Sequence, residues 1–322
     1  MTIGWYVHHH GAGHRARMLA TAPLVGDVKV LDSAGLPSDV ADAPVDPTAR
    51  GTLHWAPLHH GGARARMARI AAWIEAEQPT AMVVDVSVEV ALLARLLGVP
   101  TVVVAQRGTR RDDPHRLAYR QAAAVVAPWS AESHLPGDLP FDEGVRFVGA
   151  ISRFDGRAFG ARPAGGDVLL LVGAGGHGLT WAHMEAAAAA TPERTWHVAG
   201  GPAPVGPNLI DHGTGADVGE LLDRCSVVVG TAGGNVVAEV AAARRPFVCL
   251  PQPRPFDEQR RQAAALSALG VAVTCDAWPS GQQWPGLLAR AEAIEADGWG
   301  RLHDGSGASR FATVVREVAG CA

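Results

Sequence analysis

Short apolar runs alternate with longer helical stretches along the first half of the chain. It opens with an apolar run at 3–7, a glycine turn at 11–13 and a helical stretch at 15–22. Further strands are predicted at 27–31, 81–85, 101–105 and 124–127, with helices at 63–77, 88–97 and 116–122. Strands that alternate with helices form a parallel sheet with helices on both faces. We therefore predict a Rossmann-like domain over residues 1–150.

The second half repeats this opening after a stretch at 150–166 that has the glycine-rich composition of a linker. The pattern there predicts strands at 167–172, 195–199, 226–229, 247–250 and 271–274. It predicts helices at 180–190, 218–224, 236–244, 257–269 and 286–296. The chain is thus predicted to have an α/β fold of two Rossmann-like parallel-sheet domains facing a cleft, the second at 151–305. A last helix, within about 306–322, is expected to cross back to the first domain. The cleft is the expected ligand site, since ligands of such folds bind at the carboxyl ends of the strands.

Composition narrows the classes of function. The 322 residues are about twice the ~150-residue prior for one domain. A net charge of −4 gives no overall positive field for nucleic acid. Lys29 is the only lysine and lies in a predicted strand, which excludes a Schiff-base enzyme and a P-loop NTPase. Four dispersed cysteines, and the lack of a membrane-spanning apolar stretch, predict a protein of the reducing cytoplasm.

The most informative segment is the strand, turn and helix at 226–244. Gly233 and Gly234 form the turn, and Asn235 is placed to cap a helix whose first N–H groups can bind an anion. Glu239 lies about one turn further on, and because helical side chains lean toward the N-terminus its carboxylate reaches back past the turn. There it can accept two hydrogen bonds from vicinal hydroxyls, which a ribose beside a diphosphate offers.

The neighbouring loops add groups suited to a sugar. The loop after the predicted strand at 247–250 presents an acid, Glu258, and an amide, Gln259, both of which suit sugar hydroxyls. The second glycine loop exposes backbone N–H groups to phosphate. Diphosphate, ribose and a second sugar together indicate a nucleotide sugar. The further donor-binding residues predicted in this way are Gly173, Gly175, Gly176, Thr231, Asp257, Glu258 and Gln259.

The pattern Gly233-x-Asn235-x-x-x-Glu239, followed by Glu258-Gln259, resembles the donor signature of GT-B glycosyltransferases. This family includes the plant and macrolide UDP-sugar transferases and the peptidoglycan N-acetylglucosaminyltransferases. The resemblance implies that the helix start holds the diphosphate, the Glu holds the ribose, and the acid–amide pair holds the donor sugar. It also implies inversion, because a retaining enzyme would show Glu-x7-Glu where this chain has Thr231. Many members place a His or Arg at that position, against the diphosphate.

The first domain resembles the same family. Gly11-Ala12-Gly13-His14 is similar to a Gly-x-Gly-His loop whose histidine is the general base in many members. Asp85 ends a strand similar to the one whose aspartate pairs with that histidine. The segment 104–108 is similar to the acceptor side of the peptidoglycan enzymes. The resemblance thus implies His14 and Asp85 as catalytic residues. It implies acceptor-side roles for His10, Gly11, Gly13 and Gln106. Apart from the resemblance, the acceptor pocket is expected in the first-domain loops near 8–14, 52–62 and 106–116.

The expected chemistry needs a base and stabilisation of the leaving diphosphate. A neutral imidazole is expected at His14, beside the positive end of a helix. Asp85 either orients that ring or caps the next helix. The chain has no Asp-x-Asp pair, so we expect neither a metal nor a cofactor, with the UDP-sugar as co-substrate. The acceptor is expected to be a small molecule or a lipid-linked group.

Other interpretations stay open. The segment 64–74 has the spacing of a core-facing helix, but its basic flanks also fit peripheral contact with the inner membrane face. Gly11, Gly13 and Asp32 are spaced as in NAD(P)-dependent oxidoreductases. If His14 is not a base, a non-catalytic nucleotide-sugar-binding protein with this fold remains.

Overall fold

The computed structural model describes residues 2–8, 12–37, 44–172, 178–201 and 206–320. Its strands are β1 Ile3–Val7, β2 Val28–Asp32, β3 Ala81–Asp85, β4 Thr101–Val104, β5 Ala124–Ala127, β6 Val145–Phe147, β7 Val168–Leu171, β8 Trp196–Ala199, β9 Leu209–Asp211, β10 Val227–Gly230, β11 Phe247–Cys249 and β12 Val273–Thr274. Its α-helices are α1 Ala12–Val25, α2 Gly61–Glu77, α3 Val88–Leu96, α4 Asp113–Gln121, α5 Trp181–Ala189, α6 Val218–Arg224, α7 Gly234–Ala243, α8 Glu258–Leu269, α9 Trp284–Glu292 and α10 Gly307–Val318.

These elements form two compact units. Unit 1 lies within 1–128, 136–148 and 306–322, and unit 2 lies within 129–135 and 149–305. Unit 1 has a six-stranded sheet in the order β2-β1-β3-β4-β5-β6, and unit 2 has one in the order β12-β11-β10-β7-β8-β9. Neighbouring strands in both sheets are parallel. The α/β class and the two parallel sheets agree with the prediction from the strand–helix alternation.

Two strands were not predicted from the pattern. β6 and β9 are three-residue strands, and each lies at one edge of its sheet. Arg146 in β6 and Asp211 in β9 are charged and exposed, so neither strand is a continuous apolar run. Strands this short at an edge carry too few buried positions to be detected from periodicity.

Helix α2 packs on the sheet of unit 1. Ile70 and Ile74 are buried, and a Cβ atom added at Gly4 in β1 would lie 2.9 Å from the Trp73 ring. The ring therefore lies directly against the strand backbone, where only glycine leaves room. Of the two interpretations of this segment, the structure supports the core-facing helix. No helix within the described ranges combines the length and the apolar character needed to cross a membrane.

Helix α10 completes the core of unit 1. Phe311 is fully buried against Trp5 of β1, with ring centroids 5.4 Å apart. Arg310 Nε donates to the Val148 carbonyl at 2.8 Å at the end of the preceding segment of the unit. The last helix is thus held to unit 1 by an aromatic contact and by a hydrogen bond from a side chain to a backbone carbonyl.

Residues 150–166 pack within unit 2, so their interpretation as a linker is wrong. The Ala150 N–H donates to the Leu302 carbonyl at 3.1 Å. Asp155 Oδ1 lies 2.5 Å from His303 Nε2, and Arg245 Nη2 donates to the Gly160 carbonyl at 3.0 Å. Composition alone could not reveal these contacts, because each partner lies far along the chain. The segment is therefore an integral part of unit 2, and it includes Arg153.

Candidate active site

The carboxyl ends of β1, β3 and β4 bring three predicted residues together in unit 1. His14 lies in the first turn of α1, Asp85 ends β3, and Gln106 follows β4. His14 Nδ1 lies 2.9 Å from Asp85 Oδ1, and Gln106 Nε2 donates to the same oxygen at 3.3 Å. These strands are neighbours in the sheet, and the carboxyl ends of parallel strands meet at one edge. Topology therefore explains why distant parts of the chain converge here.

Asp85 is fully buried, yet its pKa is lowered. Burial alone would raise the pKa, but the charges of Arg17 and His14 and the hydrogen bond from His14 outweigh it. Arg17 Nε lies 3.8 Å from Asp85 Oδ2. An ionised carboxylate only accepts hydrogen bonds, so Nδ1 of His14 carries the ring proton and Nε2 is the basic nitrogen. The alternative that Asp85 caps the next helix is wrong, because the Ser87 side chain accepts from the Val90 N–H and caps α3.

In unit 2, the strand edge presents the open start of α7. Gly233 is the N-cap, with extended backbone, and among the described residues the helix start has no side-chain cap hydrogen bond. The prediction that Asn235 caps the helix is wrong, because the helix begins at the exposed Gly234 and Asn235 already lies in its first turn. Unpaired amides and the positive end of the helix dipole both favour an anion at this place.

Thr231 and Gln259 border this helix start. A Cβ atom added at Gly233 would lie 3.6 Å from Thr231 Oγ1 and 3.8 Å from Gln259 Nε2. Both side chains are buried. Gln259 Oε1 accepts from the Gln252 N–H at 2.9 Å, and Gln252 Oε1 accepts from the Gly178 N–H at 3.0 Å. Gln259 is therefore fixed by one end of its amide, with the other end toward the glycine turn.

The loop before α8 is strained. Phe256 and Asp257 have φ values of 59° and 54°, both in the left-handed region. Non-glycine residues are held there only where the surroundings impose it, often at ligand sites. Asp257 is exposed and lies 3.8 Å from Arg260, and Glu258 begins α8. The loop thus lies beside Gln259, which is part of the same helix.

Glu239 is buried in α7 and pairs with a residue that the sequence did not indicate. Arg153 Nε lies 2.9 Å from Glu239 Oε1, with side-chain exposures of 50% and 9% respectively. Burial raises the pKa of Glu239, and the Arg153 charge and hydrogen bond oppose that shift. The Arg153 guanidinium also lies over the Phe154 ring, 4.9 Å from its centroid. The carboxylate that is predicted to hold the ribose is therefore paired with a half-exposed cation.

The remaining predicted residues are accounted for as follows. Gly13 lies in the first turn of α1. Asp32, needed by the dinucleotide alternative, engages both carboxylate oxygens within unit 1, one with Arg15 Nη1 at 3.0 Å and one with the Ala34 N–H at 3.0 Å. The predicted residues outside the described ranges are His10, Gly11, Gly173, Gly175 and Gly176.

Comparison with solved structures identifies the fold. The chain is similar to the glycosyltransferase of kitacinnamycin, with a TM-score of 0.70 and 17% identity over 98% of each chain. It is similar to the calicheamicin glycosyltransferase CalG4, with a TM-score of 0.69 and 17% identity over 99% of this chain and 98% of that one. MurG of Acinetobacter baumannii gives a TM-score of 0.63 and 17% identity over 98% and 99% of the two chains.

Sequence comparison gives one short match. A segment of 57 residues is 40% identical to the UDP-N-acetylglucosamine--N-acetylmuramyl-(pentapeptide) pyrophosphoryl-undecaprenol N-acetylglucosamine transferase of Rhodospirillum centenum. It covers 17% of this chain and 15% of that protein. No protein-family model matches the chain. The structural likeness over nearly the whole chain establishes the GT-B fold, as the donor-motif resemblance implied.

Proposed function

We propose that the protein is an inverting glycosyltransferase that moves a sugar from a nucleoside diphosphate sugar, with UDP as the nucleotide, to an acceptor hydroxyl. One observation carries the proposal. A GT-B fold here combines a His14–Asp85 pair at one sheet edge with an open helix start and a buried Glu239 at the other unit's sheet edge. The first pair suits proton removal, and the second arrangement suits a nucleoside diphosphate.

Unit 2 would bind the donor. The first amides of α7 would hold the diphosphate, and the Glu239 carboxylate would accept from the ribose hydroxyls. Thr231 is uncharged at the position where many members of the resembled family place a His or Arg against the diphosphate. Arg153, from another segment, would supply the cation instead. Its half-exposed guanidinium can leave Glu239 for a phosphate oxygen, which frees the carboxylate for the ribose. Gln259 Nε2, next to the glycine turn, would donate to a hydroxyl of the transferred sugar.

Unit 1 would supply the base. The acceptor oxygen attacks the anomeric carbon while the bond from that carbon to the diphosphate oxygen breaks. The hydroxyl proton passes to His14 Nε2, and the buried Asp85 carboxylate stabilises the imidazolium that forms. The electron pair of the broken bond leaves with the nucleoside diphosphate, whose charge is met by the α7 amides and Arg153. One in-line displacement inverts the anomeric carbon, and no metal is needed at the leaving group.

The relatives support two classes of acceptor. The short match is to an enzyme named for a lipid-linked acceptor, whereas the structural relatives include glycosyltransferases of natural products. Both kinds of acceptor present a hydroxyl, so both fit the same displacement.

A ligand panel tests the donor class. Thermal shift with UDP, TDP, NADH and NADPH should show stabilisation by a nucleoside diphosphate and none by the nicotinamide nucleotides. Glu239→Gln should reduce the response to the diphosphate. Stabilisation by NADH or NADPH without a response to UDP or TDP would refute the proposal.

Turnover separates an enzyme from a binding protein. Slow release of UDP from a UDP-sugar, with water as acceptor, should be detectable by coupled assay. His14→Gln should abolish the release while UDP binding persists. Equal release by the variant and the wild type would remove His14 from the mechanism, and binding without any release from several UDP-sugars would favour the non-catalytic alternative.

A further inference from the structure

A second cluster of histidine and aspartate side chains lies in unit 1, apart from His14 and Asp85. His54 Nε2 lies 2.6 Å from Asp112 Oδ2, and His115 Nδ1 contacts Asp112 Oδ1. The two imidazole centroids are 4.5 Å apart. One ligand atom from each of the three residues lies within 4.8 Å of the others. The cluster joins the loops near 52–62 and 106–116, in which acceptor contacts were expected.

Asp112 lies at an unusual position for a residue whose carboxylate contacts two histidines. It is the N-cap of α4, where an aspartate normally accepts from the amides of the first turn, yet it makes no side-chain cap hydrogen bond. The carboxylate instead faces two imidazoles from different elements. An arrangement that gives up a helix cap to gather three ligating groups needs an explanation beyond helix stability.

We propose that His54, Asp112 and His115 form a binding site for a divalent cation of the zinc type. Two imidazoles and one carboxylate favour Zn²⁺ and its neighbours over Mg²⁺ or Ca²⁺, which prefer oxygen ligands. Three protein ligands leave at least one coordination position for another group. His54 and Asp112 each keep a third of their side-chain surface exposed, so solvent has access to the cluster. An oxygen ligand, such as water or a hydroxyl, would complete it.

The surroundings hold one of the ligands, His54, in place without a cation. Glu89 Oε1 accepts from the His54 and Trp55 N–H groups at 2.8 and 3.0 Å, which fixes the His54 backbone. Ser87 Oγ donates to Glu89 Oε2 at 3.2 Å and fixes the acid in turn. Secured supports of this kind orient metal ligands and strengthen binding. The His54 loop is therefore held in place by α3 as well as by its contact with Asp112.

One contact has to rearrange when a cation binds. Arg110 Nη1 lies 3.4 Å from His115 Nε2, so Nε2 accepts and Nδ1 donates its proton to Asp112. A cation on Nδ1 replaces that hydrogen bond, and the ring proton moves to Nε2. The contact between Arg110 and His115 is already at the long end of hydrogen-bond distances, and it is lost once Nε2 carries the proton. Tetrahedral bonds of ~2.1 Å require ligand atoms about 3.4 Å apart, so His54 Nε2, now 2.6 Å from Asp112 Oδ2, moves outward to admit the cation.

Cobalt provides the test because bound Co²⁺ absorbs in the visible range. The full-length protein, treated with chelator and dialysed, is titrated with Co²⁺ and then with Zn²⁺ as competitor. One equivalent of Co²⁺ should bind, with a visible spectrum typical of low coordination number, and Zn²⁺ should displace it. Asp112→Asn should weaken Co²⁺ binding at least about 100-fold, since loss even of a supporting residue typically costs 10–100-fold.

Asp113→Asn is the matched control, because Asp113 is the next residue, is exposed and carries the same charge. It should bind Co²⁺ like the wild type. His54→Gln serves as a second variant if Asp112→Asn proves unstable by circular dichroism, and it should show the same loss. Absence of saturable binding by the wild type, or equal binding by the Asp112 and Asp113 variants, overturns the proposal. This result is independent of donor binding, so it stands or falls apart from the proposed function.

Discussion

Arg153 and Glu239 should respond very differently to removal of their partner. The Glu239 side chain is 9% exposed and the Arg153 side chain is 50% exposed. In Glu239→Gln, the half-exposed guanidinium is rehydrated, so the loss of stability should be below about 1 kcal/mol, as for solvent-exposed pairs. In Arg153→Met, a buried carboxylate keeps its charge without its cation, and that costs about 1–3 kcal/mol near neutral pH.

The cost in Arg153→Met should grow with pH. The pKa of Glu239 is already raised above its unfolded value by burial, so the stability this group contributes is present below about pH 4.5 and is lost as pH rises through the folded pKa. Without Arg153 the folded pKa rises further, so the loss continues to higher pH. Each additional unit is worth about 1.4 kcal/mol above both pKa values.

Thermal unfolding from pH 5 to pH 8 measures this difference. The melting temperature of Arg153→Met should match the wild type near pH 5 and fall below it toward pH 8. Arg157→Met is the matched control, because Arg157 lies on the same segment and pairs at 2.9 Å with Asp223, which is one-third exposed. Its effect should be small and flat over this range. A melting temperature of Arg153→Met equal to that of the wild type at pH 8 would refute the reasoning.

Ligand binding separates the two residues further. Uridine and UDP share the ribose, but only UDP carries the diphosphate. Calorimetry should show that Glu239→Gln weakens binding of both ligands by about 10-fold or more, the loss of roughly one charge-assisted hydrogen bond. Arg153→Met should weaken UDP more than uridine. Equal weakening of both ligands by Arg153→Met would contradict its role at the phosphates.

Three further predictions address the other unit and the scaffold. Asp85→Asn should lower the turnover of a UDP-sugar by about 10²–10⁴-fold with unchanged UDP affinity, measured by coupled assay and calorimetry, because the buried partner of His14 no longer carries charge. Gly200→Ala should destabilise unit 2 by more than about 2 kcal/mol in thermal unfolding, since φ is +102° and the new Cβ would lie 2.0 Å from the Val172 carbonyl oxygen, whereas Gly213→Ala, at positive φ but without a near neighbour, should cost less. Arg194→Met removes the bidentate hydrogen bonds at 2.7 and 2.8 Å that lower the pKa of Glu292. The variant should be less stable than the wild type by about 1–2 kcal/mol at neutral pH, and this difference should shrink as pH falls through the folded pKa of Glu292. A constant difference down to pH 3 would contradict the prediction.

The parts of the fold that periodicity encodes were predictable. The strand at 81–85 and the helix at 218–224 have the predicted bounds, because apolar runs and helical spacing are local signals. Helix starts were less accurate. The start of α7 shifts from Asn235 to Gly233 because the cap depends on backbone conformation, and assignments vary by one or two residues there.

The candidate site divides in the same way. Glu239 could be found from sequence, because an acid on an otherwise apolar helix needs a partner. Arg153 could not, since it lies in a segment whose composition resembles a linker and its contact is set by tertiary packing. The contact between Asp155 and His303 that helps to order this segment joins residues far apart in the chain. A long-range contact of this kind leaves no period or motif to detect.

The cluster at His54 extends this argument to the acceptor side. The expected acceptor loops were identified by position alone, and nothing in their spacing linked His54 to Asp112. Their meeting depends on Glu89, whose carboxylate holds the His54 backbone, and on an aspartate whose carboxylate contacts two imidazoles instead of the first amides of α4. A helix cap rule applied to the sequence would assign Asp112 to the amides of α4 and would hide the cluster. The departure from that local rule is therefore the structural signal, because positions where local sequence rules fail are expected to be functional or strained.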